Sequence, residues 1–353
     1  MPVPTLLRRL ITAPAPSGHE SGAARVWREW CAEFAEVKAD KVGSSSARVP
    51  ARAPGDGPML AIVGHIDEIG LHVTHIGDDG HLHFGNIGGW DTMVLVGQRV
   101  SLSTRGGPVA GVIGRKPVHL LTEEERKQVP EIKDLVIDIG AKDGEEAKAR
   151  VRIGDFAVIE ASPVEFPNDR LVSRSLDNRV GCYVAAEAAR RVAEIGGAPG
   201  DVVALAVAQE EISFAGSRTS AYALGPDVAI AVDVTFATDQ RGVELGPMTK
   251  HTLGSGPVIA YGATLHPRVA ELLHEAAEEA KIDYTVESLG RGTGTDADAI
   301  HLTREGIPTG LVSVPLRYMH SPVETVALDD VDAAARLIAA FAQRLEPGIS
   351  FER

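Results

Sequence analysis

Four short apolar runs, 59–63, 202–208, 227–234 and 308–314, constrain this 353-residue chain more than any other feature. Each is bounded by glycine, proline or polar residues and is too short for a core helix, so each reads as a buried strand. Helical patterns lie among them at 177–193, 215–224, 267–280, 296–304 and 329–343, the third with proline at its first position. A further strand is expected at 282–287. Strands alternating with helices imply an α/β fold, a three-layer sandwich around a mostly parallel central sheet. Ahead of the first strand, residues 5–12 read as a short amphipathic helix. Ser17 and Glu20 have the spacing of a capping box opening a second helix that runs to residue 34.

Between 71 and 163 the texture changes. Short alternating runs (LHVTHI, HLHFGNI, VAGVIG, LVIDIG) are punctuated by glycine pairs and Asp-Gly. That is the pattern of small sheet or barrel structure. Only 122–128 and 145–150 look helical. The simplest organisation is one α/β domain, residues 1–70 and 165–353, interrupted by a β-rich, barrel-like insert at 71–164.

Ligands of open α/β sheets bind beyond the carboxyl ends of the strands. His65, the pair Glu210 and Glu211, and Asp233 each follow or end an apolar strand, in GHIDEIG, AQEEISF and AVDVT. Asp177 opens a helix in SLDNRVG, and His320 lies in a loop after a strand in RYMHSP; both can reach the same edge. An H-x-D pair puts two side chains on one side of an extended segment, so His65 can bind a metal while Asp67 orients its ring. Adjacent buried acids such as Glu210 and Glu211 are costly without a cation. An acid inside an apolar strand, as at Asp233, calls for a partner or a metal. Asp177 also suits the role of a helix N-cap. Together, two histidines and three carboxylates can hold two divalent metals with one carboxylate bridging, leaving Glu210 free as a base.

Hydrophobic content of 44% and charged content of 24% are ordinary for a globular protein. A net charge of -14 with no basic cluster argues against nucleic-acid and anionic-membrane partners. No apolar run is long enough to span a bilayer. Arg8 and Arg9 interrupt the N-terminal apolar stretch, which makes it a poor signal peptide. Cys31 and Cys182 read as small buried hydrophobes, in keeping with a reducing cytoplasm.

GHIDEIG, SLDNRVG, QEE, PDVAIAVDVT, GTGTDADAI and VPLRYMHSPVE, in this order and spacing, resemble the tetrahedral aminopeptidases, metallopeptidase family 42, often labelled endoglucanases. The resemblance runs from the Pro-Ser-Gly-His-Glu of residues 16–20 to the last helix. It implies a metal-dependent aminopeptidase of short peptides, with an inserted dimerisation domain and a tetrahedral dodecamer. It implies that one metal takes His65, Asp177 and Asp233, and the other Asp177, Glu211 and His320. Glu210 matches the general base and Asp67 the residue orienting His65. Zinc or cobalt suits such ligands, with manganese and nickel as further candidates. Ile212 to Gly216 depart from the family's Val-Gly-Leu-Arg-Gly, and Gly43-Ser44 stands where Gly-Asn is usual. A deacylase or other amidohydrolase on the same scaffold is the alternative, ahead of an endo-glucanase, whose paired carboxylates need no metal.

Other features are weaker. His72, His75, His81 and His83 cluster in the insert, where His81 and His83 are expected on one strand face. The glycines of 291–298 fit no phosphate-binding loop. Arg291 and Arg317 flank that segment and suit either acidic substrate side chains or a structural role.

Overall fold

The four apolar runs become the adjacent middle strands of a mixed sheet in the computed structural model, which describes residues 1–353 apart from 54, 56, 244–248 and 353. Contacts divide the chain into two units, Met1–Asp67 with Pro163–Met319 and Val323–Arg353, and Glu68–Ser162 with His320–Pro322.

In the first unit, Val202–Val207, Leu60–His65, Val228–Phe236 and Thr309–Arg317 lie side by side and run parallel. Their registers place His65 opposite Val207 and Asp233 opposite Ser313, so the chemically active ends all lie at one edge. The flanking strands close the sheet antiparallel: Ser45–Val49 pairs Val202–Val207, and Glu324–Ala327 pairs Thr309–Arg317. The parallel centre is apolar on both faces, as a sheet covered by helices on each side must be.

Side-chain parity shows the two faces. Leu60, Ile62, Val202, Ala204, Ile230 and Val232 join the core built with helices Thr5–Thr12, Ser21–Cys31, Leu176–Glu194, Pro267–Ala280 and Leu328–Gln343. Ala61, Val63, Val203, Leu205 and Ala229 join a separate core with Ala221 and Ile300. Each fully buried Leu, Ile or Val in these layers stabilises the fold by about 1.5–3 kcal/mol. By the same parity His65 and Asp233 face the second side, away from the larger helical layer.

Several local expectations are corrected. Ser17 and Glu20 form no capping box; the helix begins at Ser21 without a side-chain cap and ends at Cys31. Ser17 has a long-range partner instead, and a tertiary contact outcompetes the local one. The helix expected at 296–304 is one turn, Ala297–Ile300. The strand expected at 282–287 is Thr285–Leu289. Asp177 does not cap its helix: Ser175 holds that position, and Asp177 and Asn178 depart from helical angles.

The second unit is a closed six-stranded barrel among the described residues: Gly70–Ile76, Leu82–Ile87, Val136–Asp138, Gly107–Gly114, Arg99–Thr104 and Phe156–Ile159. Leu71, Leu82, Val100, Leu102, Ile113 and Ile137 fill it. Closure leaves no exposed edge. Glu123–Lys127 is a single helical turn with a capping box from Thr122 and Glu125. His75 and His83 are cross-strand neighbours with ring centroids 5.6 Å apart. His81 lies outside the strand and meets Asp79 at 3.0 Å. No three-ligand group forms there among the described residues.

One close approach links fold and site. A Cβ on Gly64, just before His65, would lie 2.4 Å from the Gly181 carbonyl carbon. One on Gly181 would lie 2.6 Å from the Val232 carbonyl oxygen. These glycines let the helix carrying Asp177 press against the strands carrying His65 and Asp233. Both obstacles are backbone, which cannot swing aside. Gly64→Ala is therefore expected to destabilise the protein by about 1–3 kcal/mol, read as a lower urea midpoint at unchanged slope; an unchanged midpoint would contradict the close packing.

Candidate metal centre

His65 sits at the end of its strand with almost no exposure. Its Nδ1 faces Asp67, 3.3 Å from the main-chain oxygen and 3.5 Å from Oδ1. Its Nε2 faces the other carboxylates: 3.1 Å to Asp177, 3.6 Å to Glu210 and 4.0 Å to Asp233. A ring with Nδ1–H against Asp67 presents Nε2 as its lone-pair nitrogen, the arrangement of a metal-binding histidine.

Asp67 is fully buried, and four groups converge on its carboxylate. Ser17 Oγ donates to Oδ2 at 2.6 Å, the Glu210 amide to Oδ1 at 3.0 Å, and the Glu211 amide to Oδ2 at 3.2 Å. His65 is the fourth. Glu210 and Glu211 lie not at the strand end but in the one-turn helix Glu210–Ser213, after Gln209 turns the chain with φ 61°. A non-glycine residue there costs on the order of 1–3 kcal/mol and persists only where surrounding contacts enforce it. Ser175, two residues before Asp177, has φ 57°. The Asp177 amide donates to Glu324 at 3.1 Å, and Asp233 accepts its neighbour Val234's amide at 2.8 Å.

The electrostatics are those of a site crowded with negative charge. Burial raises Glu210 to about 10, and the charges of Asp233, Asp296 and Glu211 add to that against the opposing His65. Burial likewise pushes Glu211 and Asp233 well up, reinforced by Asp177. Burial alone would lower His65, but the charge of Glu210 and bonds to Asp177 and Asp67 hold it well above the usual histidine range. Burial would raise Asp67, yet His65, the Ser17 hydroxyl and the Glu210 amide keep it low. So many acids around one imidazole cannot all be ionised together without a cation.

The donor set fits divalent metal. Ligand atoms of His65, Asp177 and Asp233 lie within 4.8 Å of one another, as do those of His65, Glu210 and Glu211. Nitrogen and carboxylate oxygen suit zinc and its first-row neighbours. His320 follows the sheet strand Thr309–Arg317 by three residues and groups with the barrel unit, where its Nδ1 is 2.9 Å from the Gly89 carbonyl oxygen. That bond again makes Nε2 the lone-pair nitrogen. Arg317 pairs with Asp239 at 3.2 Å, and Arg291 is exposed.

Three contributors carry no sequence signal of their own. Ser17 looks like a cap, Glu324 like a strand residue, and Asp296 like part of a glycine-rich loop. Asp296 is 2% exposed and raised to about 6 by burial, against a bond from Ser217. Its one clue in the sequence is that it lies in GTGTDADAI, one of the runs that carry the family resemblance.

A family model described as M42 glutamyl aminopeptidase matches residues 48–337. The lysyl aminopeptidase of Pyrococcus furiosus is 35% identical over 347 residues, 97% of each chain. A TET aminopeptidase structure from a marine sediment thaumarchaeote superposes with TM-score 0.90 at 34% identity, over 97% of this chain and 96% of that one. The TET1 peptidase of Pyrococcus horikoshii, described as assembling into a tetrahedron or a large octahedral shell, matches at TM-score 0.84 and 32% identity, over 96% and 98% of the chains.

Removing divalent metal is expected to lower the thermal midpoint, and adding it at about 100 times its dissociation constant to return about 2.7 kcal/mol. Asp67→Asn should weaken metal binding about 10- to 100-fold, measured by calorimetry on the chelated protein. Unchanged affinity would remove Asp67 from the centre.

Proposed function

Because the chain belongs to the M42 glutamyl aminopeptidase family and is an aminopeptidase, we propose that it removes N-terminal residues from short peptides at a two-metal centre. One metal would be held by His65, Asp177 and Asp233, and the second by Asp177, Glu211 and His320, with Asp177 bridging. The observation carrying this reading is the set of Asp177, Glu210 and Asp233 oxygens 3.1–4.0 Å from His65 Nε2. For His320 the support is its lone-pair Nε2, three residues beyond the central strand.

When bound, two divalent ions supply Lewis acidity, lowering the pKa of a water and polarising the scissile carbonyl. The chain's own residues do the rest. Of the three acids within 4.0 Å of His65 Nε2, Glu210 belongs to neither ligand set. Its carboxylate takes the proton of the attacking water and passes it to the leaving amine. Asp67 keeps the imidazole oriented and grips the turn that presents Glu210. A glycosidase would need only two carboxylates across a bond, and an imidazole among four acids has no part in that chemistry.

The tetrahedral or octahedral shell described for the Pyrococcus horikoshii TET1 peptidase supports self-association of this chain as well; dimers through the barrel and a tetrahedral dodecamer are the proposed forms. Zinc or cobalt is the proposed metal. The buried free thiols of Cys31 and Cys182 suit a reducing cytoplasm.

Two outcomes follow. Glu210→Gln should keep its metal while kcat falls by about 10²–10⁴; near-normal turnover in the metal-replete variant would remove Glu210 from its role. Across a side-chain panel of aminoacyl chromophores, hydrolysis should stop on chelation, return with metal, and fail on N-blocked substrates. Cleavage of blocked substrates at equal rates would point to a deacylase or other amidohydrolase.

A further inference from the structure

The segment Ser17–Glu20 lies far from the site in sequence, yet it touches the site's framework at two points. Ser17 Oγ donates to Asp67 Oδ2 at 2.6 Å, a hydroxyl–carboxylate bond between side chains that are 4% and 0% exposed. Glu20, 3% exposed, accepts the Gly18 amide at 2.6 Å, and its carboxyl faces the amide of Gln209, the left-handed residue that starts the Glu210 turn. The loop before the second helix thus holds both the carboxylate that grips the turn and the residue that begins it. It has no need of a cap, because the helix starts at Ser21 without one.

The two Asp67 oxygens accept from several directions at once, so the bonds are made together only in one orientation of the carboxylate plane. Oδ1 takes the Glu210 amide and faces His65 Nδ1; Oδ2 takes the Glu211 amide. A half-turn about χ2 only exchanges two equivalent oxygens, but a smaller rotation would misalign the bonds to the Glu210 and Glu211 amides. The Ser17 hydroxyl, donating to Oδ2 at 2.6 Å, holds the carboxylate plane against that rotation, and a charge-assisted bond of this kind is about twice as strong as a neutral one. Losing it leaves Asp67 in place but lets the carboxylate turn, and a displacement of about 1 Å at catalytic groups costs on the order of 100-fold in rate.

We propose that Ser17 is a positioning residue for the hydrolytic reaction: its hydroxyl locks the Asp67 carboxylate, which in turn sets the His65 ring and the turn carrying Glu210 and Glu211. The proposal rests on the two-metal aminopeptidase reading.

Ser17→Thr and Ser17→Val differ only in a hydroxyl against a methyl, so they share any packing disturbance. The measurements are kcat and KM on an aminoacyl chromophore, and the metal concentration that half-restores activity after chelation. Thr should retain kcat within about threefold. Val should lose about 10- to 100-fold in kcat with little change in KM, and need about tenfold more metal. A purely structural serine would lower the melting temperature of both variants alike and leave the metal requirement unmoved. Equal kcat and equal metal requirement in Thr and Val overturns the proposal. If Ser17→Ala also folds, its loss should match that of Val; wild-type behaviour in Ala overturns it equally. Wild-type protein that fails on every aminoacyl substrate with metal restored would instead strike the underlying aminopeptidase reading. Ser17 then remains testable through metal affinity alone, where Val matching Thr again overturns it.

Discussion

The Asp67 carboxylate is the constraint on which the rest of the site depends. It is fully buried, and His65, the Ser17 hydroxyl and the amides of Glu210 and Glu211 converge on it. Those groups come from a strand end, an N-terminal loop and a turn more than 140 residues away. A buried carboxylate without such partners would cost several kcal/mol. With them it becomes a rigid hub, because each donor restricts the rotation that the others would allow.

Around that hub the fold concentrates what it elsewhere avoids. Left-handed Ser175 and Gln209 stand immediately before the segments carrying Asp177 and Glu210. Glu210, Glu211 and Asp233 are pushed up by burial and by each other's charge. Neither feature stabilises the chain, and both have the same use. The strained turns aim side chains inward from a sheet edge, and the clustered nitrogen and carboxylate donors are close enough together to hold a divalent cation. The helix bearing Asp177 reaches this edge only because Gly64 and Gly181 let backbone meet backbone.

Much of this was legible from residue order. The apolar runs marked the parallel strands, since a sheet covered on both faces has no polar alternation to disguise it. The change of texture at residue 71 marked the barrel, and Asp233 stood out as an acid in an apolar strand. What misled was chemistry that is locally ambiguous. Ser17-x-x-Glu20 has the spacing of a capping box, but the hydroxyl chose a carboxylate fifty residues on. Asp177 suited an N-cap, and the cap position belongs to Ser175. Glu324 and Asp296 gave almost no signal, because their partners lie far along the chain.

Sequence by itself determined the layers, the strand ends and the residue types gathered there, because hydrophobic period and strand-end position are local properties of the chain. Tertiary structure alone decided which hydroxyl holds which carboxylate, which imidazole nitrogen faces the acids, and how closely helix and strand approach. Those are relations between segments brought together by folding, and they turn on tenths of an ångström that no spacing along the chain encodes.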